Sequence, residues 1–229
     1  MQNALALVSL TLFLTRAAGA FCFAPQPRLV CAEYFRSQAV VIAKLTRVRH
    51  VVPANEQDGL FYTLRTERVL RGGIDTVFRI YEENSTSRAS FDWKVGQSYL
   101  LFLNHYQSTN AWGLDGCGNS APISAAASTL NAIEALQTNP GKGGSIGGSV
   151  RIDGVKVVAY GNRRAFETLS DNDGDFNIHV PPGDYRIRAT HPERTFSESD
   201  ISYEHARRVH IENGSCAQIE FDSQLKSGP

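Results

Sequence analysis

The first part of the chain carries short apolar runs, and runs in which apolar and polar residues alternate, both of which are typical of β-strands. The run 61–69 alternates, with Phe61, Leu64 and Val69 as its apolar positions. The β-branched run at residues 40–42 favours a strand buried on both faces. These patterns predict four strands, at residues 36–47, 61–69, 77–81 and 97–104.

The clearest helical pattern lies in residues 124–137, where Leu130, Ile133 and Leu136 recur near helical intervals. A glycine-rich stretch follows, with five glycines and one proline between Asn139 and Gly148. Because such a composition cannot pack as a helix, we expect residues 139–147 to form a flexible linker between two domains.

After this stretch, short alternating segments are separated by turn residues. The segment Ser170–Gly174 is a hairpin turn signal, and Pro181–Asp184 is a further turn. Strands at such short intervals indicate a small β-sandwich over residues 148–225. The predicted strands are residues 148–152, 155–160, 166–169, 176–180, 185–189, 209–211 and 217–221.

The N-terminus has the features of an export signal. Ala4 to Leu14 is an apolar run too short to span a membrane, and Ala18-Gly19-Ala20 is a small-residue cleavage site. The sequence therefore predicts a cleaved signal peptide at residues 1–20 and a mature protein that begins at Phe21. We expect it to be secreted or periplasmic, with no transmembrane segment.

The charge of the chain limits the classes of partner, and its cysteine content predicts disulfide bonds. The chain has 23 basic and 23 acidic residues, so its net charge gives no indication of a nucleic acid or another polyanion as the main partner. An even number of cysteines in an exported chain predicts two disulfide bonds. Spacing alone leaves three connectivities open for Cys22, Cys31, Cys117 and Cys216.

The order of motifs in the first part of the chain resembles a known family. Cys22-Phe23-Ala24-Pro25 and Cys31 are followed by AVVIAKLTRV, TLRTERVLRGG and VGQSYLLFL, and then by Leu114-Asp115-Gly116-Cys117 and a short helix. This order resembles the netrin module, the domain of the tissue inhibitors of metalloproteinases. The resemblance implies a five-stranded OB-type barrel with a short helix over residues 21–138.

The last part of the chain resembles a second family. The segments GVKVVAY and TLSDNDGDFNIHVPPGDYRIRA are similar to the carboxypeptidase regulatory-like domain, a transthyretin-type sandwich. That resemblance implies an Ig/transthyretin-like β-sandwich over residues 148–225. In that family the domain is usually a structural or adhesive accessory without catalytic residues of its own.

The first resemblance also implies a disulfide pairing. Cys22 matches the second cysteine of the inhibitors' Cys-x-Cys start, which pairs with the cysteine that matches Cys117. Cys31 and Cys216 are then left, and a bond between them would join the two domains. The alternative is that both remain free thiols.

Motifs for catalysis and metal binding are weak in this sequence. The run Asp171–Asp175 places oxygen ligands at alternate positions, as Ca²⁺ prefers, but its glycine comes too early for the calcium loop, so a tight turn is favoured. No nucleophile and base pattern is present. We expect no catalytic residue, no metal and no cofactor.

The sequence thus favours an exported, non-catalytic binding or scaffold protein whose partner is a protein or a glycan. Trp93, Tyr106, Trp112 and Tyr34 are candidate contacts, because Trp and Tyr combine apolar area with a polar group, and core packing is the alternative for each. The alternative function is inhibition of a metalloendopeptidase through the N-terminal cysteine region. That mechanism needs a cysteine as the first mature residue, whereas Phe21 precedes Cys22 here.

Overall fold

The computed structural model describes residues 28–51, 59–83, 91–108, 110–138, 140–200 and 202–226. The fold is mainly β, as the sequence predicts. The predicted signal peptide and Cys22 lie outside the described residues. We refer to residues 28–138 as the N-terminal region and to residues 140–226 as the C-terminal region.

All four strands predicted in the N-terminal region are present, and the predicted helix begins with a 3₁₀ turn at Ile123–Ala125. A seven-residue helix and two very short strands were not predicted. The elements are α1 (Val30–Arg36), β1 (Ala39–Val51), β2 (Gly59–Gly72), β3 (Val77–Glu83), β4 (Ser98–Tyr106), β5 (Ala111–Gly113), β6 (Ala121–Pro122) and α2 (Ala127–Thr138).

The six strands of this region form one sheet. Strand β1 pairs antiparallel with both β2 and β4, and β2 pairs antiparallel with β3. Strand β4 also pairs with β5 and β6, and β5 meets β3 at the single pair Ile80 and Trp112. Val41 packs in a cluster on one side of the sheet, and Val40 packs on the other side with residues of α1 and α2. The expectation that this part of β1 is buried on both faces is therefore confirmed.

Eight strands form two four-stranded sheets in the C-terminal region, ordered β10-β7-β14-β12 and β13-β11-β8-β9. One hydrophobic cluster takes side chains from both sheets. The strands are β7 (Gly144–Ser149), β8 (Lys156–Tyr160), β9 (Ala165–Leu169), β10 (Asp175–Val180), β11 (Gly183–Thr190), β12 (Arg194–Glu198), β13 (Val209–Ile211) and β14 (Cys216–Leu225).

The predicted hairpin at Ser170–Gly174 is wrong in its pairing, although the turn itself is present. Asp171 accepts backbone hydrogen bonds from Asp173 at 3.0 Å and from Asp175 at 2.9 Å, as an Asx turn does. However, β9 pairs with β8 and β10 pairs with β7, so this turn connects one sheet to the other. The turn residues correctly predicted where the chain changes direction, but they did not predict which strands β9 and β10 pair with.

The glycine-rich stretch is shorter as a linker than the predicted 139–147, because β7 already begins at Gly144. Strand β7 lies between β10 and β14, where backbones approach closely. A side chain at Gly144 would overlap the Ser215 carbonyl, and one at Gly148, whose φ is +147°, would overlap the Ile219 carbonyl. These glycines permit close strand contact and do not act as a hinge.

Candidate binding surface

Two of the four predicted contact residues serve the packing of the N-terminal region. Tyr34 is only 7% exposed, and its hydroxyl donates to the Leu70 carbonyl at 3.1 Å and accepts from the Gln137 amide at 3.2 Å. Its hydroxyl therefore has partners inside the protein. Burial and these bonds assign Tyr34 a structural role.

Trp93 lies between two other aromatic rings, with centroids 4.6 Å from Tyr62 and 4.7 Å from Tyr99. Its indole N–H donates to Glu82 at 3.1 Å. The ring covers the end of the cluster that contains Leu64 and is half-buried. These contacts make packing its principal role.

Tyr106 and Trp112 retain exposed surface on neighbouring strands. Trp112 is half-buried and makes an edge contact with His105 at 5.3 Å between centroids. Tyr106 is 51% exposed, and its ring lies over Gly113. Trp112 also packs against the hydrophobic cluster that Trp93 covers, so Tyr106 is the most exposed of the four predicted contacts, and their part in binding stays a prediction.

A larger surface that sequence reasoning missed lies on the outward side of strands β1, β2 and β3. Cross-strand pairing places Arg47, Thr63 and Arg79 in one row. The adjacent rows are Arg49 with Phe61 and Tyr81, and Lys44 with Arg65 and Val77. We call the charged and aromatic members of these rows the basic face: Lys44, Arg47, Arg49, Phe61, Arg65, Arg79 and Tyr81.

The inward side of the same strands has the opposite character. Tyr62, Leu64 and Ile80 are buried in the hydrophobic cluster, whereas the arginines of the basic face are exposed. Phe61, which the sequence pattern grouped with the apolar positions of β2, lies on the outward side beside Tyr81. The correct alternation in β2 is Tyr62 and Leu64 inward, with Phe61, Thr63 and Arg65 outward.

A β-bulge in β1 brings the cations together. Leu45 pairs with Leu64 and Arg47 pairs with Thr63, so Thr46 is an extra residue without a partner in β2. The Thr46 hydroxyl donates to the Thr63 carbonyl at 2.9 Å. In a regular strand that counted Thr46 as an ordinary position, alternation from Lys44 would turn Arg47 and Arg49 to the inner side.

The basic face has few opposing charges. It contains five cations, whereas the exposed acids of the three strands, within their described residues, are Glu67 and Glu83, and Glu82 is buried on the inner side. Among the described residues, none of the five cations forms an ion pair with a carboxylate. The face thus has a local positive charge that the neutral net charge of the chain conceals.

Aromatic contacts order part of this face. The Arg79 guanidinium lies 5.3 Å from the centroid of the Phe61 ring, and Phe61 lies 5.0 Å from Tyr81. A guanidinium over an aromatic ring is attracted to it and loses side-chain freedom before any ligand binds. Arg79 is therefore held in place while it remains exposed to solvent.

A second polar cluster joins the two regions, and we call it the seam. Cys31 in α1 is bonded to Cys216 at the start of β14, which confirms the predicted disulfide. Beside it, the Leu29 amide donates to the Gln218 side chain at 2.7 Å. The Cys22–Cys117 pairing stays a prediction, because Cys22 lies outside the described residues, and the same holds for inhibition through the N-terminal cysteine region.

Tyr203 from the C-terminal region is part of the seam. The guanidinium groups of Arg28 and Arg36 both lie 4.7 Å from the centroid of its ring. Arg36 also pairs with Glu204 at 3.3 Å. Burial raises the pKa of the Tyr203 hydroxyl, and the nearby Glu33 carboxyl raises it further. The ring therefore stays neutral between its two cations.

Glu33 is the most strongly perturbed acid near the seam. Its carboxylate accepts from the backbone N–H of Asn119 at 2.6 Å and from the Asn119 side-chain amide at 2.7 Å. Burial raises its pKa to about 7, against the hydrogen bonds from Asn119, which lower it. Asp115 raises it and Arg28 lowers it to smaller extents. Since Glu33 is only 1% exposed, it has no access to a substrate and its role is structural.

Other features of the described residues do not form a more specific site. An open recess of about 340 Å³ lies in the C-terminal region, with Arg163, Arg164 and Tyr185 in its lining. No three His, Cys, Asp or Glu side chains in the described ranges are placed to hold a metal ion. Among the helices that the structure describes, none combines the length and apolar character that crossing a membrane requires.

Comparison with known proteins gives no further identification. Neither a protein-family model nor a curated protein matches the chain. The resemblances to the netrin module and to the carboxypeptidase regulatory-like domain therefore stay predictions.

Proposed function

We propose that this protein is an exported, non-catalytic binding protein that holds a protein or a glycan on its basic face. In this proposal the N-terminal region is an OB-type barrel and the C-terminal region is a transthyretin-type sandwich that supports it. The observation that carries the proposal is the bulge at Thr46, which turns Arg47 and Arg49 to the same exposed surface as Arg79.

The chemistry of the basic face supports a binding role. Exposed arginines and aromatic rings are the residue types that contribute most to recognition surfaces. A sheet face also keeps these side chains at fixed separations, because hydrogen bonds to neighbouring strands hold the backbone. Rigid joining through Cys31 and Cys216 would let the C-terminal region present this face in a constant orientation.

The proposal is tested with two matched charge reversals. The variant Arg49→Glu/Arg79→Glu changes the basic face, and Arg163→Glu/Arg164→Glu makes the same charge change on the C-terminal region. Each protein is applied to an array of glycans and to purified extracellular proteins. We expect the first variant to lose ligands that the wild type and the second variant both retain. Equal binding by all three proteins, or chemical turnover of a retained ligand, would contradict the proposal.

A further inference from the structure

We infer that the ligand of the basic face is an acidic polysaccharide, an extended sugar chain that carries repeated sulfate or carboxylate groups. This inference rests on the proposed function and adds the chemical class of the ligand. Three observations carry it: the number of cations that form no ion pair with a described carboxylate, their spacing over three strands, and the aromatic pair among them.

The spacing of the cations suits a polymer more than a single small anion. Neighbouring strands lie about 4.8 Å apart, and alternate residues of one strand lie about 6.7 Å apart. Arg47 and Arg79, which are two strands apart, are thus separated by roughly 10 Å at the backbone. The charges are spread over an area and do not converge on a point. A ligand must carry several anionic groups to engage them together.

Residue types on the face match the groups of such a polymer. Guanidinium groups bind sulfate and carboxylate oxygens through two parallel hydrogen bonds. Thr63 lies between Arg47 and Arg79 in the same row. Phe61 and Tyr81 add an apolar strip against which the C–H groups of a sugar ring can pack. The face therefore offers partners for both the charged and the apolar parts of an acidic sugar.

The disulfide between Cys31 and Cys216 favours a polysaccharide over a nucleic acid. Such bonds persist in oxidising compartments outside the cytosol, where the polyanions that a protein meets are chiefly acidic glycans. A lipid surface is less well matched, because binding in a membrane interface needs exposed apolar side chains that insert. Phe61 and Tyr81 are instead half-buried and pack against each other with tilted rings.

The test measures binding of the full, oxidised protein to heparin, which is sulfated, and to polygalacturonate, which carries carboxylates. Neutral dextran, a single-stranded oligonucleotide and vesicles with anionic lipids are measured alongside. The variant Arg47→Gln/Arg49→Gln/Arg79→Gln removes three cations from the basic face. The control Arg163→Gln/Arg164→Gln/Arg207→Gln removes three exposed cations from the C-terminal region, so both variants have the same net charge.

We expect the wild type and the control to bind an acidic polysaccharide, with Kd values within about twofold of each other, whereas the face variant binds roughly tenfold more weakly. The slope of log Kd against log salt concentration should flatten by about one per lost contact, roughly three in all, only in the face variant. A thermal unfolding midpoint equal to that of the wild type shows that each variant is folded.

Other outcomes overturn the inference in distinguishable ways. Equal weakening in both triple variants shows that binding follows net charge and not the basic face. Tighter binding of the oligonucleotide or the vesicles assigns the face to another class of polyanion. Face-dependent binding of a neutral glycan or a protein, without binding of either acidic polysaccharide, refutes the inference and leaves the proposed function intact. Binding of no ligand by the face refutes both.

Discussion

At the scale of single residues, the burial of the Glu33 carboxyl should make the stability of the fold depend on pH. Its carboxyl is buried between α1 and the loop that contains Asn119, and no exposed surface connects it to solvent. Such a group keeps its proton more strongly in the folded protein than in the unfolded chain. The free energy of unfolding therefore depends on Glu33 ionisation only between the pKa of Glu33 in the unfolded chain and its pKa in the folded protein.

We predict that Glu33→Gln removes a loss of stability that the wild type shows as pH rises. Between pH 4.5 and about 7 the folded wild type retains a proton that the unfolded chain releases, so its free energy of unfolding falls with rising pH. The free energy of unfolding of the variant minus that of the wild type should therefore be about 3 kcal/mol larger above pH 7 than at pH 4. Urea unfolding of both proteins from pH 4 to 8 measures this, and a constant difference would contradict it.

At the scale of elements, hydrophobic patterning located most strands but could not give their faces or partners. The pattern around residues 40–42 was sufficient because β-branched side chains are buried on both sides there. In β1 the extra residue Thr46 changes the alternation, and nothing in the local pattern marks that residue as a bulge. The basic face could not be predicted from the sequence pattern, because it depends on this bulge and on the register of three strands.

Short elements were also beyond sequence reasoning. Helix α1 has only seven residues and no side-chain cap at its start, so its sequence carries neither a long period nor a capping signal. It nevertheless contains Cys31 and Glu33, which organise the seam. Tertiary contacts to α2 and β14, and not helix propensity, hold α1 in place.

The strand β7 gives a prediction at the same scale. Gly148→Ala places a methyl group against the Ile219 carbonyl at a backbone conformation that favours glycine, and we expect it to lower the free energy of unfolding by about 3 kcal/mol. Gly141→Ala is the matched control, since its new methyl group meets no atom within 4 Å. Thermal or urea unfolding compares them. Equal stabilities would show that these glycines serve only as a flexible linker.

At the scale of the whole molecule, two regions with separate hydrophobic clusters are joined by a small polar seam and one covalent bond. The bond between Cys31 and Cys216 connects residues 185 positions apart in the chain. A cross-link over such a distance restricts the unfolded chain strongly. It also fixes α1 of the N-terminal region against β14 of the C-terminal region.

We predict that Cys31→Ser/Cys216→Ser lowers the free energy of unfolding by about 5 kcal/mol, the value that chain entropy gives for a loop of this length. Because the two clusters are separate, unfolding should also change from one transition to two. Denaturant unfolding followed by tryptophan fluorescence and by circular dichroism measures both effects, since both tryptophans lie in the N-terminal region. A single transition with an unchanged midpoint would contradict the role assigned to the bond.

The central claim is that ligand binds where the register of β1, β2 and β3 gathers the cations. Chemical modification of arginines, read by mass spectrometry in the absence and presence of a heparin oligosaccharide, tests it most directly. We expect the ligand to protect Arg47, Arg49 and Arg79 while Arg163 and Arg164 stay reactive. Protection of Arg163 and Arg164 with unchanged reactivity at the basic face would contradict it.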